Sequence, residues 1–277
     1  MPDFRIERLL ARDRWIVGTC LALITVLAWI WLWWEGTAMS GGAMAGMDMA
    51  GMDMAGMDMG DPTVVSPLNI GAYLASAFLM WFLMMIAMML PSAAPMILIY
   101  ARMARGSLAQ GPMLAPTTVF AGMYVAIWAG FSLWAAAIQT VLVHSGVISA
   151  MGLALGDQRI GGAMLIAAGL YQVTPLKRAC LASCRSPLSF LTRLWQPGWP
   201  GAVRLGLAHG TYCLGCCWLL MALLFVFGVM NLIWVAGLAL VVLIEKVVPF
   251  GAQIGFVLGV LAVIVGAAMI LGVRVWA

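Results

Sequence analysis

The residues best equipped for chemistry lie in one short stretch, His209-Gly-Thr-Tyr-Cys213-Leu-Gly-Cys216-Cys217-Trp218. On a helix, His209, Cys213 and Cys216 fall at i, i+4 and i+7, so they share one stripe with Cys217 beside it. Thiolates and an imidazole gathered on one helix face suit a soft metal ion, Cu(I) first among them and other soft metals after it. A buried cysteine is also a small hydrophobe. Three cysteines within five residues, one turn after a histidine, favour ligation. A second thiol pair, Cys180 and Cys184, is spaced for one helical face and flanked by Lys177, Arg178 and Arg185. Such cations would lower thiol pKa values and favour thiolates, or they are ordinary interfacial charges. The two thiol groups are expected to converge.

These residues sit in a chain built for a bilayer. Hydrophobic residues make up 65% and charged residues 9%, and the mean hydropathy is +1.06. A soluble domain carries about a quarter charged residues. The expected fold is all-α, a polytopic integral membrane protein with about seven transmembrane helices. Expected spans are Trp15–Trp34, Leu68–Tyr100, Thr117–His144, Ile160–Thr174, Leu205–Val229, Leu232–Val248 and Ala252–Gly272. Pro91 and Pro95 are expected to kink or end the second, and the last two would alternatively form a re-entrant pair. Three sections follow: residues 1–36 as N-terminus and first helix, 37–67 as an external loop, and 68–277 as a six-helix membrane domain holding the Cys-rich site. Most Lys and Arg residues then fall on one side, which predicts a cytoplasmic N-terminus and a periplasmic or extracellular C-terminus. Cys20, alone in the first helix, is expected to pack.

The loop after the first helix repeats itself: residues 44–60 read MAG-MDMAG-MDMAG-MDMG. It has no periodic apolar face, so it is expected to lack fixed structure of its own. A low-complexity linker would use Ser, Gly, Pro, Glu and Lys rather than methionine. Met47, Met49, Met52, Met54, Met57 and Met59 instead offer thioethers, soft donors that remain usable on the oxidising, periplasmic side. In the next helix Met80, Met84 and Met88 form an i, i+4, i+8 ladder, with Met85 and Met89 beside it. Gap-filling packing is the alternative there.

Three further features complete the set. Glu245 and Lys246 close the sixth span. An ionisable residue there is a functional candidate, and a mutual ion pair with Lys246 reaching to the interface is the structural alternative. His144 reads as interfacial. Gly251, Gly255 and Gly259 form a small-residue face for internal helix packing or for a homo-oligomer contact.

The segments MWFLMMIAMMLPSAAP from Met80, YQVTPLKRACLASCRSP from Tyr171 and HGTYCLGCCWLLM from His209, with the 245–246 pair, resemble an uncharacterised bacterial family. Its members are described as metal-binding integral membrane proteins. The resemblance covers roughly residues 70–250 and leaves the Met-Asp repeat outside. It implies that Met84, Met88, Lys177, Cys180, Cys184, His209, Cys213, Cys216, Cys217 and Glu245 belong to the family's characteristic segments.

The expected function is copper handling without catalysis. The Met-rich loop would capture the ion and the ladder would carry it. A cytoplasmic-side site of Cys180, Cys184, His209, Cys213, Cys216 and Cys217 would then receive it, in import. Expected partners are the lipid bilayer and a soluble copper chaperone or oxidase subunit, with no nucleic acid. No P-loop, nucleophile elbow or His-Glu-x-x-His motif occurs. Two alternatives stay open: a thiol–disulfide electron carrier using Cys213 and Cys216, and a non-transporting assembly factor for a respiratory oxidase.

Overall fold

The computed structural model describes residues 4–45, 70–107, 114–148 and 157–273. Met47, Met49, Met52, Met54, Met57 and Met59 lie outside the described residues. In chain order the helices are α1 (Phe4–Ala45), α2 (Ile70–Ser107), α3 (Leu114–His144), α4 (Gln158–Gln172) and α5 (Pro175–Arg185). Then come α6 (Pro187–Leu194), α7 (Gly198–Ala222), α8 (Leu224–Phe227), α9 (Leu232–Val247) and α10 (Gly251–Ile270).

Five of these are long and apolar enough to cross a membrane: Trp15–Thr37, Ile70–Ala104, Pro116–His144, Gly198–Phe227 and Gly251–Ile270. Among the described residues the structure thus bears out five of the seven expected spans. The two other expected spans exist as helices but are short, α4 with 15 residues and α9 with 16. At 1.5 Å per residue each reaches about 24 Å or less, under the roughly 30 Å of a hydrocarbon core. The second helix does not end at its prolines. It runs unbroken through Pro91 and Pro95 to Ser107. A helix interior proline loses one backbone bond, and the dense packing of this helix outweighs that cost: Trp81, Met84, Met85, Met88, Met89 and Ile97 are all essentially inaccessible.

The short helices start where the sequence provides caps. Asp157 accepts from the Arg159 amide at 2.7 Å to open α4, and Asn231 accepts from the Ile233 amide at 3.2 Å to open α9. Thr174 caps α5, whose first residue is Pro175. Proline at that position costs nothing, because its missing N–H would have had no partner.

Glycines set the helix contacts. A Cβ added at Gly162 or Gly169 of α4 would lie 2.6 Å from the Gly266 carbonyl or 2.4 Å from that of Gly259 on α10. The pairing of 162 with 266 and 169 with 259 makes α4 and α10 antiparallel. Gly206 and Gly210 of α7 close in the same way on Phe120 and on Ile127 of α3, and this pair runs parallel. The Gly251, Gly255 and Gly259 face is thus occupied within the chain. Gly255 receives the Glu245 carboxylate, and Gly259 receives Gln172 and the Gly169 carbonyl.

The α1 helix lies outermost. Trp15, Leu27, Ile30, Trp33 and Trp34 are exposed on it, as expected of an apolar surface turned to lipid with aromatic residues at its ends. Cys20 is exposed too, which corrects the expectation that it packs. The residue falls on the outward stripe of a helix that buries little beyond Val17, Ala28 and Leu32.

Candidate metal centre

The His209–Cys217 stripe lies within α7 and not at its start. Because α7 begins at Gly198, Cys213 falls near the middle of the Gly198–Phe227 span. The site expected at the cytoplasmic mouth is therefore displaced to mid-length of a spanning helix. His209, Cys213, Cys216 and Cys217 are all buried.

Sulfur atoms from three helices meet here. The Cys217 thiol lies 3.8 Å from the Met89 sulfur of α2. Cys216 and Cys217 donate to the Cys213 carbonyl at 3.1 and 3.0 Å. From α5, the Cys184 thiol interacts with those of Cys213 and Cys216. Cys180 covers Gly215, where an added Cβ would stand 2.9 Å from its sulfur. The two cysteine groups thus converge as the sequence suggested. Among the described residues no three His, Cys, Asp or Glu side chains stand at ligating distance from one another. Ligation by this cluster requires its side chains to turn off the Cys213 carbonyl.

The methionines divide. Met80, Met84, Met85 and Met88 are buried in the core around α2. Met89 brings its sulfur to 3.8 Å from that of Cys217. Its position five residues after Met84 and four after Met85 was visible in the sequence, but the orientation of α2 was not.

Lys246 is the largest surprise. It neither reaches to an interface nor pairs with Glu245. Its ammonium donates to the Cys213 sulfur at 2.9 Å and to the Ser92 hydroxyl at 3.0 Å. Tyr124 contacts the same sulfur at 3.2 Å and the Met89 carbonyl at 3.1 Å. A cation held against a sulfur supplies the counter-charge that a metal-bound thiolate would need there. Neighbouring residues on a helix point about 100° apart, so Glu245 faces elsewhere. It forms an ion pair with Lys177 at 2.7 Å and accepts from the Gln172 amide at 2.9 Å. Lys177 also donates to the Gln172 side-chain oxygen. Lys177 and Glu245 therefore tie α5 to α4 and α9, and the mutual 245–246 pair is corrected.

The cations near Cys180 and Cys184 are likewise committed. Arg178 donates to the Val173 carbonyl at 2.8 Å. Arg185 donates to the Val248 carbonyl at 2.9 Å and also to that of Pro249, satisfying the turn that ends the short α9. Of the cations described, Lys246 draws Cys184 toward thiolate, and that pull is outweighed. Burial pushes the Cys180 thiol up from the ordinary thiol value. Hydrogen bonds with Cys213 and Cys216, and then burial, hold that of Cys184 well above it. The expected lowering is thus reversed.

His209 lies in a box of aromatic rings. Its ring stacks on Tyr124 (centroids 5.2 Å) and Phe120 (6.1 Å), with Phe190 of α6 tilted over it at 6.0 Å. Neither ring nitrogen has a hydrogen-bond partner. Leaving a buried polar group unpaired costs about 1–3 kcal/mol. His144, by contrast, is exposed at the end of α3.

The donor set fits a soft monovalent metal: thiols and a thioether, a cation beside one of the thiols, and no carboxylate, since Glu245 is consumed by Lys177. No curated protein and no solved structure matches the chain significantly. A family model described as PpoB2, copper chaperone, matches residues 78–269. That stretch contains every residue of the sulfur cluster and exceeds half of the chain, so this protein belongs to the PpoB2 copper chaperone family.

Proposed function

We propose that the chain binds copper as Cu(I) in the sulfur cluster inside its membrane domain and passes the ion to an acceptor. One observation carries this reading: Met89, Cys184, Cys213, Cys216 and Cys217, from α2, α5 and α7, form one cluster, and Lys246 contacts the Cys213 sulfur in it directly. Thiolate and thioether donors select Cu(I) over harder ions. The Met-rich repeat would collect copper outside the membrane, and the buried Met80, Met84, Met85 and Met88 would lead it along α2 towards Met89. Softness then favours the move from thioether to thiolate. Import in a bacterial inner membrane follows from that gradient, and the acceptor would be a soluble copper-binding protein or an oxidase subunit. No catalytic step is involved.

The electron-carrier alternative is disfavoured. A mixed disulfide needs a partner's thiol to reach Cys213 or Cys216, and these residues are 0% and 1% exposed.

The test is copper content per chain after anaerobic, reducing purification in mild detergent. Wild type is expected to hold close to one copper. The Cys213→Ser, Cys216→Ser, Cys217→Ser triple variant is expected to hold almost none. A metal-free wild type whose thiols are paired as a disulfide overturns the reading.

A further inference from the structure

The buried imidazole of His209 is not explained by the sulfur cluster. It lies one helical turn from Cys213 on the Gly198 side, and its box of Phe120, Tyr124 and Phe190 offers its nitrogens no partner. An aromatic residue would fill such a box at least as well. The imidazole adds one property that packing does not require, a nitrogen lone pair able to bind a soft or borderline metal.

The surroundings give this nitrogen a place in a route. On one side is Tyr124, which stacks on His209 and contacts the Cys213 sulfur through its hydroxyl. On the other is Phe190, which also packs edge-on against Tyr212 at 5.8 Å. Tyr212 is exposed. One aromatic ring of the eight-residue helix α6 therefore stands between the imidazole and an exposed residue. His209 lies between the deepest thiol and that cover.

We propose that His209 is a second, transient copper station, the ligand through which Cu(I) leaves Cys213 beneath α6, with Phe190 as its cover. The inference rests on the copper reading above and adds the exit side and the ligand used there. The transfer is a ligand exchange with no change of oxidation state. A His209 nitrogen lone pair forms a bond to Cu(I) as the Cys213 sulfur–copper bond breaks, leaving the Cys213 thiolate beside the Lys246 ammonium. The acceptor's own donor then displaces the imidazole. Imidazole holds Cu(I) less tightly than thiolate, which suits a station that must release.

The experiment uses the full chain in mild detergent, loaded anaerobically with Cu(I) and mixed with excess bathocuproine disulfonate, whose copper complex is followed by absorbance. His209→Phe fits the aromatic box. It is expected to keep the wild-type copper content while releasing copper about tenfold more slowly, the loss expected when one barrier rises modestly. His209→Met, which restores a soft donor, is expected to release at close to the wild-type rate. Phe190→Ala is expected to release faster. A His209→Phe protein that loses its copper makes His209 a holding ligand, and one that releases at the wild-type rate makes it packing. Either result overturns the proposal while the sulfur site stands. Wild type that takes up no copper overturns the copper reading itself.

Discussion

Glu245→Ala is expected to destabilise the membrane domain by about 3–5 kcal/mol, the usual cost of removing one member of a buried ion pair. Glu245 and Lys177 are 1% and 2% exposed, and the carboxylate accepts from the lysine ammonium at 2.7 and 3.0 Å. Without it the ammonium keeps only the Gln172 oxygen, and the ends of α4, α5 and α9 lose their common tie. Thermal unfolding in detergent, followed by tryptophan fluorescence, should show a clearly lower midpoint. The Lys177→Met, Glu245→Leu double variant should recover most of the loss, because an apolar pair of similar volume removes the unpaired charge. A single variant as stable as wild type would refute the tie.

The second large effect is expected at Gly169. Its substitution by alanine puts a Cβ 2.4 Å from the Gly259 carbonyl and 2.7 Å from a Val263 methyl group. Backbone cannot yield as a flexible side chain can, so α4 must move off α10. Overpacking of this kind costs about 1–3 kcal/mol. The same change at Gly130 or Gly237 meets nothing within 4 Å. There the gain in helix propensity should stabilise slightly, by up to about 1 kcal/mol. Comparing the three midpoints under one detergent condition separates close packing from glycine's general flexibility. Equal shifts at all three positions would contradict the contact.

Copper content and chelator-release measurements test the sulfur cluster and His209 independently of these stability effects. A variant that unfolds early can still bind copper below its midpoint, so loss of metal at low temperature reports on ligands and not on packing.

The bilayer-length apolar runs made the all-helical membrane architecture legible, and residue spacing made the α7 stripe legible. Both depend on periodicities local to the chain. The positions of α5 against α7 and of Met89 against Cys217 depend on which helices are neighbours, which no spacing within one helix reveals. Of the expected kink or end near Pro91 and Pro95, the end is absent, because local backbone cost was weighed without the packing of α2. The expected 245–246 pair failed because adjacent helical residues point apart, and each found its partner far away in the chain.

The sequence by itself determined that this chain has helices apolar enough to cross a membrane, that it concentrates soft donors, and which cysteines share a helical face. Only the tertiary structure decided that five helices rather than seven are long enough to cross, and that the thiols lie at mid-length of a span. It alone placed Lys246 on Cys213, Glu245 on Lys177 and His209 in an aromatic box. The physical reason is that hydropathy and helical period are summed along neighbouring residues, whereas a buried charge or thiol takes its partner from whichever helix the packing brings alongside.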